Sequence, residues 1–194
     1  MISRQPGHTI PFANGVAKIS QLRDLQSSDA WKRALRNKCK DHRYYEIVEE
    51  TLECEFEHHY LLLEDASGSV RAVQPMFFVR QNLVEGVPGK IRSVVDAIRK
   101  MVPHFLTMRV LMVGCGAGTG DLGVCDAKDE QWVANALQAS LGSYAKRNKA
   151  SLVVFKDFPA HYRSALGTLI SNGYARIPSM NPPMLLSFST RLRL

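Results

Sequence analysis

The spacing of apolar residues changes period several times along the chain, and each change marks an element. Trp31, Leu35 and Cys39 follow the cap residues Ser27, Ser28 and Asp29 at helical spacing. Tyr45, Val48, Leu52 and Phe56, at i, i+3, i+7 and i+11, predict a second helix. From 58 to 64 (HHYLLLE) the pattern becomes a short apolar run, and Asp65-Ala66-Ser67-Gly68 is turn chemistry. Val70 to Val79 is again extended, so a β-hairpin is expected, and Pro75 within it implies an edge position or a bulge.

Beyond Pro88-Gly89 the helical spacing returns, with Ile91, Val94, Val95, Ile98 and Val102 on one face. Arg109 to Val113 (RVLMV) is a compact β-type run that ends in alternating glycines. Residues 130–147 hold the strongest helical pattern, its stripe formed by Trp132, Ala136, Leu137, Leu141 and Tyr144, with Asp126 or Asp129 as its cap. Ser151 to Phe155 reads as a buried strand. Tyr162, Ala165, Leu166, Leu169 and Ile170 form a helix stopped at Asn172-Gly173, and Met184 to Phe188 is a last short strand. Antiparallel strands that feed a βαβ unit predict an α/β fold, a mixed sheet with helices on its faces. One domain over 1–194 is expected, with 1–26 as an N-terminal extension.

Composition narrows the class. The chain has 194 residues, 45% of them hydrophobic and 22% charged, which is globular. No apolar run approaches the about 18 residues of a membrane span. The N-terminus lacks an apolar stretch of signal-peptide length. Four cysteines show no C-x-x-C pair and no zinc spacing, so a reduced cytoplasmic chain without a metal is expected. The formal net charge is +7. Residues 32–43 carry six basic side chains against Asp41, and 46–57 carry six glutamates. That basic block holds no aromatic residue to stack bases, so no nucleic-acid partner is expected and the positive excess is assigned to surface.

The most distinctive string is VLMVGCGAGTGDLG (110–123), in which Gly114, Gly116, Gly118 and Gly120 alternate after a strand. Such a loop lets backbone N–H groups approach a phosphate. One reading is an S-adenosylmethionine-dependent methyltransferase. Against it, no ribose-binding acid stands about 20 residues on, and the hairpin has no place in a parallel core. A second reading is a coenzyme A turn, and a third is a tight turn without a ligand.

The strings KASLVVFKDFP (149–159), Tyr162-Arg163 and GYARIPSM (173–180), together with LMVGC (111–115) and GDLG (120–123), resemble bacterial Fem-like acyltransferases of the GNAT superfamily. The likeness covers roughly residues 42–180. It implies the acyl-CoA N-acyltransferase fold, in which a mixed sheet splays near its centre and acetyl-CoA or another acyl-CoA enters the splay. It also implies Gly116, Gly118 and Gly120 as the phosphate turn. The chain then corresponds to one half of the two-domain relatives, which raises two further expectations: a noncatalytic binding half-domain, and a homodimer.

An N-acyltransferase needs a base for the attacking amine and a donor for the departing thiol. Asp157, at the end of a buried strand, is the candidate base, with a turn cap as its alternative role; Lys156 would then point to the opposite face. His104, Cys115, Tyr144 and Tyr174 are weaker candidates. No membrane partner is expected.

Overall fold

In the computed structural model, residues 9–52, 56–84, 89–178 and 186–191 are described. Eight strands form one mixed sheet in the order β1-β2-β3-β4-β5-β6-β8-β7. These are β1 (Thr9–Phe12), β2 (Gly15–Ser20), β3 (Glu57–Asp65), β4 (Val70–Asn82), β5 (Thr107–Val113), β6 (Leu152–Phe155), β7 (Tyr174–Pro178) and β8 (Leu186–Arg191). The helices are α1 (Leu22–Leu25), α2 (Asp29–Ala34), α3 (His42–Leu52), α4 (Gly89–Arg99), α5 (Glu130–Arg147) and α6 (Arg163–Ser171). Among the described strands, β5 and β6 make the one parallel pair, joined through α5 as the βαβ pattern requires.

One face of the sheet is covered by α5 and α6. Val133, Leu137 and Leu141 of α5 are fully buried there against Leu111, Val113 and Phe155. On the other face, α1, α2 and α3 hold Leu25, Trp31, Leu35 and Tyr45 over Tyr60 and Val73. Trp31 is closed in by edge-on rings of Tyr45 and Tyr60, and its indole N–H donates to Glu46 Oε1 at 3.2 Å.

Several expectations change in the folded chain. Residues 9–20, expected within an extension, are a hairpin that pairs with β3 and widens the sheet. The second helix is described over His42–Leu52, Phe56 N–H donates to Leu52 O at 3.2 Å, and the helix buries Tyr45 alone among its described side chains. Pro75 lies in a central strand instead of an edge. Its carbonyl accepts from Gly114 N–H, so its missing N–H faces the stretch where residues 115–122 detour away from β4. No partner is asked of it there. Asp126, not Asp129, supplies the side-chain cap: its carboxylate accepts from Lys128 N–H in the short turn before α5. The helix expected after Pro88-Gly89 forms, but of its apolar face only Val95 is buried.

Candidate functional site

The parallel pair β5–β6 runs in register as far as Val113↔Phe155 and is extended by Lys156 N–H donating to Val113 O. The two strands then part. Gly114 N–H turns to Pro75 O of β4 at 3.0 Å, and residues 115–122 bulge out before the chain returns to β4. There Val73 N–H donates to Gly123 O at 2.8 Å and Cys125 N–H to Arg71 O at 2.9 Å. The detour passes the mouth of the divergence, where Gly120 N–H donates to Asp157 O at 3.1 Å.

The three glycines expected to form a phosphate turn sit differently from one another. A Cβ on Gly120 would lie 2.6 Å from Lys156 O and 3.0 Å from the Phe158 ring, so glycine is needed there to bring the two strand ends together. Gly118 has φ +73, and the Lys40 ammonium stands 3.0 Å from the same position. Gly116 is open, with the Phe56 ring no nearer than 3.9 Å.

Asp157 is buried at 8% exposure with φ +55. That left-handed turn breaks the strand alternation, so Lys156 points to the same side, and its Nζ meets Asp157 Oδ2 at 2.5 Å. The expectation that the two side chains diverge fails for this reason. The Lys156 ammonium thus occupies the Asp157 carboxylate, and the Asp157 backbone carbonyl is the group that faces the glycine segment.

The basic block of 32–43, assigned from sequence to open surface, folds onto this segment. Lys40 Nζ donates to the carbonyls of Ala117 and of Thr119, the latter at 2.9 Å. Lys38 Nζ donates to the Tyr162 hydroxyl at 2.6 Å, and that hydroxyl donates to Asp121 Oδ1 at 3.1 Å. Burial, and then the Asp121 charge, push the Tyr162 phenol well above its ordinary range. Arg33, Arg36, Asn37 and Lys38 also line a cleft of ≈360 Å³ against Val124, Cys125 and Ala127, where the chain enters α5. Three cations and no acid line it. Lys38, Lys40, Asp121 and Tyr162 escaped the sequence reading because their contacts join residues 41 to 124 positions apart. The one local signal was the density of charge in 32–43.

The remaining candidates lie apart from this cluster or are sealed. Cys115 is 1% exposed, and its thiol donates to Ala117 O at 3.1 Å. Burial and the neighbouring Cys115 push the Tyr44 phenol up to about 12. Tyr144 shares a hydrogen bond with His59 Nδ1 at 3.1 Å on the α5 side. Tyr174 is a core ring whose burial lifts its phenol to about 12. His104 is exposed in the turn before β5, beyond the opposite end of that strand. Among the described residues, no group of three His, Cys, Asp or Glu is placed to hold a metal ion.

No family model and no curated protein matches the chain by sequence. Solved structures do match its fold. A chimera of the spermidine N-acetyltransferase SpeG from Vibrio cholerae with hSSAT aligns at TM-score 0.53 and 6% identity, over 93% of this chain and 96% of that one. A Bordetella pertussis protein described as a GnaT-family acetyltransferase aligns at TM-score 0.52 and 13% identity, over 94% and 99%. The doubly wound parallel sheet of a methyltransferase is not present: among the described strands every pairing except β5–β6 is antiparallel. A mixed sheet flanked by helices, with one parallel pair that parts beside a glycine segment, is the acyl-CoA N-acyltransferase (GNAT) fold, and this chain has it.

Proposed function

We propose that the chain is an N-acyltransferase that takes its acyl group from an acyl-CoA and passes it to an amine. The reading is carried by the parting of β5 and β6 beside the glycine segment, which the cationic cleft of Arg33, Arg36 and Lys38 at Val124, Cys125 and Ala127 reaches through the Lys38–Tyr162–Asp121 hydrogen bonds. Bound there, an acyl-CoA would supply an activated thioester. Arg33, Arg36 and Lys38 would hold its phosphates, since charge-assisted hydrogen bonds from several cations suit a polyanion. The segment of Gly116, Gly118 and Gly120 would border them, with Lys40 fixing its carbonyls. Tyr162, fully buried, accepts from Lys38 and donates to Asp121, and so holds the basic block against the end of the glycine segment. The Fem-like subtype rests on the sequence strings alone.

The Gly120–Asp157 bond favours a second reading, a half-domain that binds without turnover, because it ties the two strand ends together across the splay. Titration calorimetry with acetyl-CoA, followed by an assay of thiol release with a panel of amines, separates the two. Binding with thiol release supports the enzyme. Binding alone supports the half-domain, and no heat at millimolar acetyl-CoA removes both. Arg36→Glu is expected to weaken binding at least tenfold, from the about 1.5–3 kcal/mol of a hydrogen bond to a charged group.

A further inference from the structure

Residues 83–106 form an excursion between two neighbouring strands, β4 and β5, closed at its base by Leu83 N–H donating to Leu106 O at 3.0 Å. Its described residues touch the rest of the molecule lightly. Val95 is the one buried side chain described on α4. Arg99 pins the helix end by donating to Phe105 O at 3.0 Å and Asn82 Oδ1 at 2.7 Å. Yet the helix is strongly amphipathic. Ile91, Val94 and Ile98 repeat at i, i+3 and i+7, and Met101 and Val102 continue the arc through hydrogen bonds back to Ile98 O. All five are exposed, Met101 at 87%. Of the ten large exposed apolar side chains among the described residues, seven lie between Leu83 and Leu106. Scattered apolar residues are ordinary on a surface; a patch gathered on one helix marks a contact.

Charge decides what kind of contact. Residues 80–109 hold six basic side chains (Arg80, Lys90, Arg92, Arg99, Lys100 and Arg109) against Glu85 and Asp96. Arg92 on the helix and Lys100 in the turn after it are exposed, off the apolar arc. A two-fold dimer through this face would set each basic rim against its copy. An apolar arc with a cationic surround instead suits an anionic lipid surface, where the arc enters the acyl boundary and the cations meet headgroups. We propose that α4 and the turn after it seat the protein peripherally on an anionic membrane. The absence of a long apolar helix among the described residues concerns spanning and leaves this untouched.

The test is co-sedimentation with vesicles of phosphatidylcholine alone and of phosphatidylcholine with about a quarter phosphatidylglycerol. The full chain is expected to sediment with the anionic vesicles, weakly or not with the neutral ones, and to be released by salt. Arg92→Gln with Lys100→Gln should weaken binding about twentyfold or more, at about fivefold per cation. The decisive variant keeps every charge: Ile98→Gln with Met101→Gln should abolish sedimentation while leaving the melting temperature in place, because both side chains are exposed. If that variant binds as well as the wild type, attraction to the basic chain as a whole explains the binding and the proposal falls. It falls equally if the wild type ignores anionic vesicles, or if light scattering shows a dimer that Ile98→Gln dissolves.

Discussion

The strand β5 has a helix at each end, and the two are embedded differently. At its C-terminal end the chain detours through the glycine segment, exchanges hydrogen bonds with β4, donates to Asp157 O just past β6, and enters α5, which buries eight side chains. At its N-terminal end stands α4, with a cleaner apolar arc in sequence and one described buried side chain. Periodicity thus forms both helices and says nothing of what each will cover. Burial is decided by whether a sheet face lies within reach: α5 crosses the sheet between its two parallel strands, whereas α4 belongs to a short excursion joining antiparallel neighbours.

If that contrast is right, the largest loss comes from the α5 end. Leu137 is fully buried in the main core, so Leu137→Ala should cost about 3 kcal/mol by removing apolar contacts and leaving a cavity. Chemical denaturation with an unchanged m-value would report it; a loss below about 1 kcal/mol would mean the α5 face is not the packed one. Next comes the segment between them. Gly120→Ala places a methyl 2.6 Å from a backbone carbonyl and should cost about 2 kcal/mol, as overpacking does. Gly116→Ala, in open space, should lie within about 0.5 kcal/mol of wild type. Equal effects at the two positions would show that Gly120 does not hold the strand ends together.

How much of this was legible follows from which contacts are local. The α5 pattern indicates both boundaries because its apolar stripe lies within the helix itself, with Asp126 just ahead of it. The β3–β4 hairpin was readable from its turn, where Asp65 accepts from Ser67 N–H and Ser69 N–H. Strands β1 and β7 are only four and five residues long, each with a proline, too little for a period to stand out. The glycine string was visible, but its role was not. Whether alternate glycines offer N–H groups or carbonyls depends on φ at Gly118 and on what packs alongside, and Lys40 arrives from 77 residues away. For the same reason 32–43 read as solvated charge: nothing near it in sequence announces the carbonyls and phenol that receive its lysines.

The smallest effect tests the N-terminal end directly. Within α4, Val95 and Ile98 are both apolar and three residues apart, and sequence alone ranks the larger Ile98 as the costlier loss. The structure inverts that order, with Val95 at 4% exposure and Ile98 at 36%. Val95→Ala should therefore cost about 1–2 kcal/mol, since it empties the one buried position among the helix's described side chains. Ile98→Ala should cost no more than about 0.5 kcal/mol, because its side chain already meets solvent and alanine is the better helix former. Paired thermal melts at matched ionic strength would read the difference as a few degrees for Val95 and almost none for Ile98. A larger loss at Ile98 would mean that the exposed arc is covered in the isolated protein, and that the asymmetry between the two ends of β5 does not hold in solution.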